Sequence, residues 1–464
     1  MMRKPNVLVF FTDQQRWDTT GVHGNPMDLT PNFDRMARRG THFVNTGTCQ
    51  PVCGPARAVL QTGLHATNIG VWRNGIGLPA EKKTLAYHFR EAGYHTGYIG
   101  KWHLYGGEHS GVQPYGVHSN DPVPREYQGG YDFWRGSNLL EFASDAYDLR
   151  LFDEEGVAHK YPGYRVDAQT DVAIRYIDDH KDEPFFLYLS YIEPHHQNHV
   201  DAYPAPTGYE ERYRDLWVPP DLRALGGSSA QHLPGYYGMV KRLDEALGRI
   251  EDALRSLDLL ENTVILFVSD HGNHFKTRNG EYKRSGHEAS IRVPCMATGP
   301  GFEGGGAVSN IVSLVDIPPT LLDAAEIAIP DEMEGRSAVP ATVSESTGAG
   351  APWRDDVFVQ ISESCVGRAV RTKRWKYVVI AEGLNGGSVD AADTYTEAFL
   401  YDLKSDPYEL RNLIGLKAYK PVADRMKERL LARIADVEGS EPRIVEAPAK
   451  PSGQAVVLPE EVNS

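Results

Sequence analysis

The sequence predicts an α/β fold: a large mixed, mostly parallel sheet sandwiched by helices, followed by a smaller C-terminal α+β subdomain. Three observations lead there. Continuous apolar runs of strand length recur along the chain, without the alternation of a half-solvated strand. Segments of helical period lie between them. Around residues 340–355 the text turns to Ser, Thr, Gly, Ala and Pro, and short strand-like runs follow it closely.

The first strand is Asn6 to Thr12, apolar enough to be buried on both faces. A helix is expected from Asn32 to Arg39, stopped by Gly40, and another from Thr84 to Ala92 before Gly93. His95 to Ile99 reads as a short strand. The helix Asp167 to Asp179 leads into the strand Pro184 to Ser190. Gly235 to Leu257 reads as a long amphipathic helix, and Thr263 to Ser269 is the strongest buried-strand signal in the chain. Asp316 to Ala325 is a helix with Pro318 and Pro319 in its first turn, where a missing N–H costs little. These elements make a main unit over residues 1–350. Val357 to Ile361, Arg368 to Arg371 and Trp375 to Ile380 read as strands, and Pro421 to Glu438 as a helix. They place the subdomain, with a small antiparallel sheet, over residues 351–440. Residues 441–464 have the composition of a loosely ordered tail.

The chain has 464 residues and a formal charge of −15. That balance argues against a nucleic-acid partner, which calls for a basic face. It is no bar to an anionic substrate, because local charge in a cleft decides binding there. The four cysteines, Cys49, Cys53, Cys295 and Cys365, are too few for a disulfide scaffold. The first apolar run, Val7 to Phe11, is soon met by Asp13 and is too short for a signal peptide. No stretch approaches the ~20 apolar residues of a membrane span. A cytoplasmic protein with no membrane partner is expected. Oligomeric state stays open, a homo-oligomer included.

The segment that carries chemistry is Cys53-Gly54-Pro55-Ala56-Arg57, followed by Thr62-Gly63. A thiol at a helix N-terminus beside an arginine is expected to be acidic and reactive. A buried structural cysteine is the plainer reading of these residues alone, and a C-x3-C metal or redox pair with Cys49 has no matching second pair in the chain. Asp13 closes the first strand. Asp270 and His271 close the later one, outside the carboxyl ends where open α/β sheets bind ligands. A carboxylate from each strand, His271 and position 53 could together hold a divalent cation. Oxygen-rich ligation favours Ca²⁺ or Mg²⁺, and the imidazole leaves Mn²⁺ open.

C-x-P-x-R followed by T-G resembles the signature of the type I sulfatases, in the alkaline-phosphatase superfamily. The resemblance runs from about residue 5 to about residue 438. It implies an alkaline-phosphatase-like fold with the catalytic domain over residues 1–350, and a formylglycine made from Cys53 by a maturation enzyme. It also implies one divalent metal, most readily Ca²⁺, on Asp13, Cys53, Asp270 and His271. Gln14 stands where the family often has a second Asp; its amide oxygen can still ligate, without charge. Arg57 belongs to the signature. Gly100-Lys101-Trp102-His103 matches a further element and carries site roles to Lys101 and His103. In the chemistry the family implies, a hydroxyl of hydrated formylglycine attacks sulfur and the alcohol leaves. His103 then takes a proton from the other hydroxyl, expelling sulfate. Lys101 would neutralise charge on the transferring group.

After the strand ending at Ser190, the family places a sulfate-contacting histidine behind a proline. His195 takes that role, with His196 in reserve. Lys283, Glu288 and Arg292 keep a further family spacing: Lys283 would bridge sulfate and leaving oxygens, and Glu288 with Arg292 reads as an ion pair. Asn74, His196 and His287 are candidate substrate contacts, though a turn residue before Gly75 is the plainer reading of Asn74.

The reaction implied is hydrolysis of a sulfate monoester to alcohol and sulfate, on a glycan or small-molecule ester, with a sulfated carbohydrate preferred. The loops Glu108 to Arg125 and Val200 to Leu225, rich in Tyr, Trp and Pro, would shape that pocket. Choline or aryl sulfates are alternatives. So are phosphonate monoesters or phosphodiesters, whose hydrolases usually lack the Lys101-Trp102-His103 element.

Overall fold

The structure, a computed structural model, describes residues 4–106, 118–339 and 353–464. The boundary drawn at 350/351, most of the expected linker and residues 108–117 of the first pocket loop lie outside the described residues.

Ten strands form the large sheet: β1 Asn6–Thr12, β2 Thr41–Gly47, β3 His95–Lys101, β4 Phe133–Ser137, β5 Leu149–Phe152, β6 Ala158–Tyr161, β7 Phe185–Ser190, β8 Thr263–Ser269, β9 Cys295–Thr298 and β10 Gly306–Ser313. Their order is β10-β2-β9-β8-β1-β7-β3-β4-β5-β6. The centre, from β8 to β4, is parallel throughout. β9 and β5 run against their neighbours. Alternate residues of β1 feed two separate cores. Val7, Val9 and Phe11 pack on one face; Leu8 and Phe10 pack on the other. This double burial explains why β1 and β8 read as unbroken apolar runs.

Where local pattern and tertiary packing compete, packing wins. The long helix runs Ser229–Ser256, starting well before the expected Gly235 and containing Pro234. The proline falls near the helix start and removes one bond. Leu233, Tyr236, Tyr237 and Val240 are buried together and hold that turn in place. β3 runs on through Gly100 to Lys101. Gly100 has φ +112, and a Cβ there would collide with the Ser190 carbonyl of β7. Only glycine lets the two backbones lie that close and still deliver Lys101 to the strand end.

A second sheet carries β11 Asp356–Ile361, β12 Val366–Thr372, β13 Trp375–Ala381, β14 Thr394–Asp402 and β15 Arg443–Val445. The helix Lys420–Glu438 packs on it through Val422, Met426, Leu430 and Ile434. The tail departs from the loose segment expected of it. Its residues 443–445 pair in parallel with β14, and Ile444, Ala447, Val457 and Val462 pack against the same core. These few apolar contacts order a stretch whose composition suggests a coil.

Glu288 ties the two sheets together, and its partners differ from the expected Arg292. Arg371 reaches it at 3.1 Å and Lys376 at 3.3 Å, and Glu409 also contacts Lys376. Arg292 instead stacks on Trp17 at 4.0 Å and donates to the Val44 carbonyl. Burial would raise the Glu288 carboxyl, but Arg371 and Lys376 outweigh it and hold it at about 2. A depressed carboxylate stabilises above its unfolded value and loses that contribution as pH falls through the folded one. This site therefore gives up on the order of 3 kcal/mol between about pH 4.5 and 2. Glu288→Gln is expected to lower the thermal midpoint at pH 7 and to flatten its decline with acid. A parallel decline in both proteins refutes the assignment.

Candidate functional site

The parallel strands β8, β1, β7 and β3 end together, with Thr12 beside Ser269, Phe11 beside Ser190, and Gly100 beside Ser190. The residues just past those ends are Asp13, Asp270, His271, His103 and His195, so they meet at one edge. Cys53 is the first residue of the helix Cys53–Thr62, every residue of which is buried. Arg57 lies one turn on, on the same helix face. The Gly54 N–H, left without an intrahelical partner, donates to Asn74 Oδ1 at 2.9 Å.

Asp13, Cys53, Asp270 and His271 bring their ligand atoms within 4.8 Å of one another. Cys53 Sγ stands 3.2 Å from His271 Nε2 and 3.5 Å from Asp13 Oδ1. His271 Nδ1 donates to the Gly272 carbonyl at 2.9 Å, which leaves the Nε2 lone pair facing the cluster. Asp270 Oδ1 accepts from the backbone N–H groups of Gln14 and His271. Its other oxygen is buried and accepts no hydrogen bond among the described residues. Two carboxylates, one of them with an orphaned buried oxygen, and a fixed imidazole are a donor set that fits a divalent cation. Gln14, with φ +69, turns its amide oxygen to the His196 N–H at 3.0 Å.

Three cations surround this cluster. Arg57 donates to Asp13 Oδ2 at 2.9 Å, to the Lys101 carbonyl at 2.7 Å and to Ser190 Oγ at 2.8 Å. Lys283 Nζ lies 2.7 Å from Cys53 Sγ and 3.1 Å from His195 Nε2. Lys101 Nζ is held between Asp13 Oδ2 at 2.8 Å and Glu141 Oε1 at 3.1 Å. Burial would raise the Asp13 carboxyl, but the charges of Lys101 and its other cationic neighbours outweigh it and hold it well below the usual range. Asp270 has no such excess. Burial, then the negative charge of Asp13, pushes it up to about 7.

The thiol departs from the acidic one expected. Burial, then Asp13, raises Cys53 above its ordinary value, against the opposing charges of Lys283, Lys101 and Arg57. Local dipole reasoning misses this because it ignores desolvation. Cys49 lies outside the cluster, and both cysteines are free thiols. His103, with φ +59, is lowered well below its usual value by burial, then by Lys101 and Arg57. His195 is lowered likewise by burial and then Lys283. Its Nδ1 donates to the His196 carbonyl at 2.6 Å, so Nε2 accepts from Lys283.

The remaining candidates lie further out. His196 faces Asp201 at 2.9 Å. His287 is set apart: it contacts Ser285 Oγ and Tyr401 Oη, each at 3.2 Å, and packs on Phe399. Sequence reasoning missed Glu141 and Ser190. Ser190 could be found as the last residue of its strand. Glu141 carries no local signal, since it sits in a four-residue helix, Leu140–Ala143, far in sequence from Lys101.

Among the described residues no helix is long and apolar enough to cross a membrane. The sulfatase family profile matches residues 5–327. A second profile, for the C-terminal part of N-sulphoglucosamine sulphohydrolase, matches residues 280–436. An arylsulfatase of Clostridium perfringens is 30% identical over 492 residues, covering 94% of this chain and 95% of its own. An ulvan-active sulfatase of Formosa agariphila is 29% identical over 450 residues, covering 94% and 82%. A protein solved in complex with its substrate D-glucosamine-2-N,6-O-disulfate superposes with a TM-score of 0.74 at 23% identity, covering 95% and 99%. With the family profile spanning most of the chain and an arylsulfatase matched nearly end to end, the chain belongs to the sulfatase family, the sulfuric ester hydrolases.

Proposed function

We propose that the protein hydrolyses a sulfate monoester of a carbohydrate, with Cys53 matured to formylglycine and Ca²⁺ held by Asp13, Gln14, position 53, Asp270 and His271. The observation that supports this reading is the convergence of Asp13, Cys53, Asp270 and His271 in one cluster, with Arg57 and Lys101 on Asp13 and Lys283 on Cys53. So matured, and beside a bound cation, position 53 supplies a hydrated aldehyde oxygen as the nucleophile toward sulfur.

The chain's own residues do the rest. Lys283, oriented by the Nε2 acceptor of His195, places a donor where the sulfuryl and leaving oxygens would lie, and stabilises charge that develops there. Arg57 fixes Asp13. Lys101 works from behind: Asp13 and Glu141 engage its ammonium, so it balances the carboxylates of the metal shell rather than reaching sulfur. His103, neutral at pH 7, can accept the proton released when sulfate leaves. The ulvan-active relative and the structural neighbour bound to a disulfated glucosamine support a carbohydrate as the alcohol.

The test is sulfate release from a panel of sulfated sugars, using protein co-expressed with a formylglycine-generating enzyme. Release from at least one sugar sulfate is expected. Turnover of a small alkyl sulfate with none of any sugar sulfate sinks the carbohydrate assignment. Lys283→Ala is expected to lower kcat about 10²–10³-fold, the usual loss for one such donor. Asp270→Asn is expected to lose bound calcium on elemental analysis; unchanged metal content removes Asp270 from the shell.

A further inference from the structure

A second convergence of ligating side chains lies beside the first. His196 follows β7, Asp201 follows the turn Asn198–Val200, and His232 opens the helix Ser229–Ser256. Their ligand atoms lie within 4.8 Å of one another. Asp201 Oδ1 is 2.9 Å from His196 Nε2 and 3.9 Å from His232 Nε2. Tetrahedral ligands at about 2.0–2.1 Å from a zinc ion stand about 3.3 Å apart. One pair need only open slightly and the other close.

Both imidazoles are more than nine-tenths buried, while the Asp201 side chain is 62% exposed. An ion can therefore enter past Asp201 and keep a water there. His232 Nε2 faces that carboxylate oxygen at 3.9 Å. The rings are fixed in place. Tyr282 stacks on His196 at 4.3 Å, and Tyr203 lies 5.2 Å from His196 and 5.4 Å from His232. Tyr282 Oη donates to Asp201 at 3.2 Å, which orients the carboxylate, and lies 3.1 Å from His196 Nε2, a contact that a bound ion would replace. Lys276, 4.7 Å above the Tyr282 ring, opposes a cation without occupying a ligand atom.

Two imidazole nitrogens and one carboxylate oxygen select a borderline-soft ion over Ca²⁺ or Mg²⁺. We propose that His196, Asp201 and His232 form a second metal site, for a Zn²⁺-class ion with water as its fourth ligand. The site neighbours the first, because the His196 N–H donates to Gln14 Oε1.

The test uses Zn²⁺ in competition with a chromophoric chelator, in excess Ca²⁺, on the full chain. Wild type, His232→Ala and Asp201→Asn are compared. One Zn²⁺ equivalent of the wild type is expected to weaken at least about tenfold in each variant. Asp201→Asn alters an exposed side chain and decides the matter alone where His232→Ala fails to fold. Equal stoichiometry and affinity in wild type and Asp201→Asn overturns the proposal, whatever the rate of sulfate release.

Discussion

The Cys53→Ala protein is expected to release sulfate at the background rate, a loss of about 10⁴-fold or more, because it lacks the atom that becomes the nucleophile. The fold is expected to survive. Cys53 sits at the first position of its helix, and the helix is held by a fully buried face and by Gly63, whose N–H donates to Val59 at 2.8 Å. Losing one sulfur atom removes little packing beside that. Circular dichroism and the thermal midpoint separate the two effects. Activity within tenfold of wild type removes Cys53 as the nucleophile. Peptide mass spectrometry over residues 40–73 tests the same point without mutation: conversion of the thiol to an aldehyde lowers the mass by about 18 Da. An intact thiol after co-expression with the maturation enzyme means that position 53 is not matured in this chain.

How much of this was legible in the sequence depends on how local each cause is. β1 and β8 show as apolar runs because both faces of the sheet centre are covered. Asp13, Asp270 and His271 are legible because parallel strands deliver their following residues to one edge. Arg57 is legible because four residues make one helical turn. The partners of Glu288 are not, since Arg371 and Lys376 come from the second sheet, far along the chain. The acidity expected of Cys53 fails for a related reason: a helix dipole is local, while burial is a property of the whole fold. β15 is three residues long and makes no pattern of its own. Its order comes from the edge of β14 and from apolar contacts made elsewhere.

Lys101→Met is expected to lose stability as well as turnover, which separates it from Cys53→Ala. Lys101, Asp13 and Glu141 have no exposed side-chain surface. Burial alone would lower the Lys101 ammonium, but Asp13 and then Glu141 outweigh it and hold it above its ordinary value. Removing the ammonium leaves Glu141 and Asp13 facing each other across a space that water cannot enter freely. Breaking a buried pair in this way costs about 3–5 kcal/mol. Turnover falls because Asp13 loses its ammonium partner at 2.8 Å, and the two remaining cations, Arg57 and Lys283, balance the carboxylates that hold the metal less fully. The double variant Lys101→Met with Glu141→Leu removes both ends of the outer pair. It is expected to regain much of the stability and little of the activity, since Asp13 still lacks its ammonium. Equal recovery of both makes Lys101 a purely structural residue. Recovery of neither means that the stability of the single variant is lost through packing rather than through the missing ammonium charge.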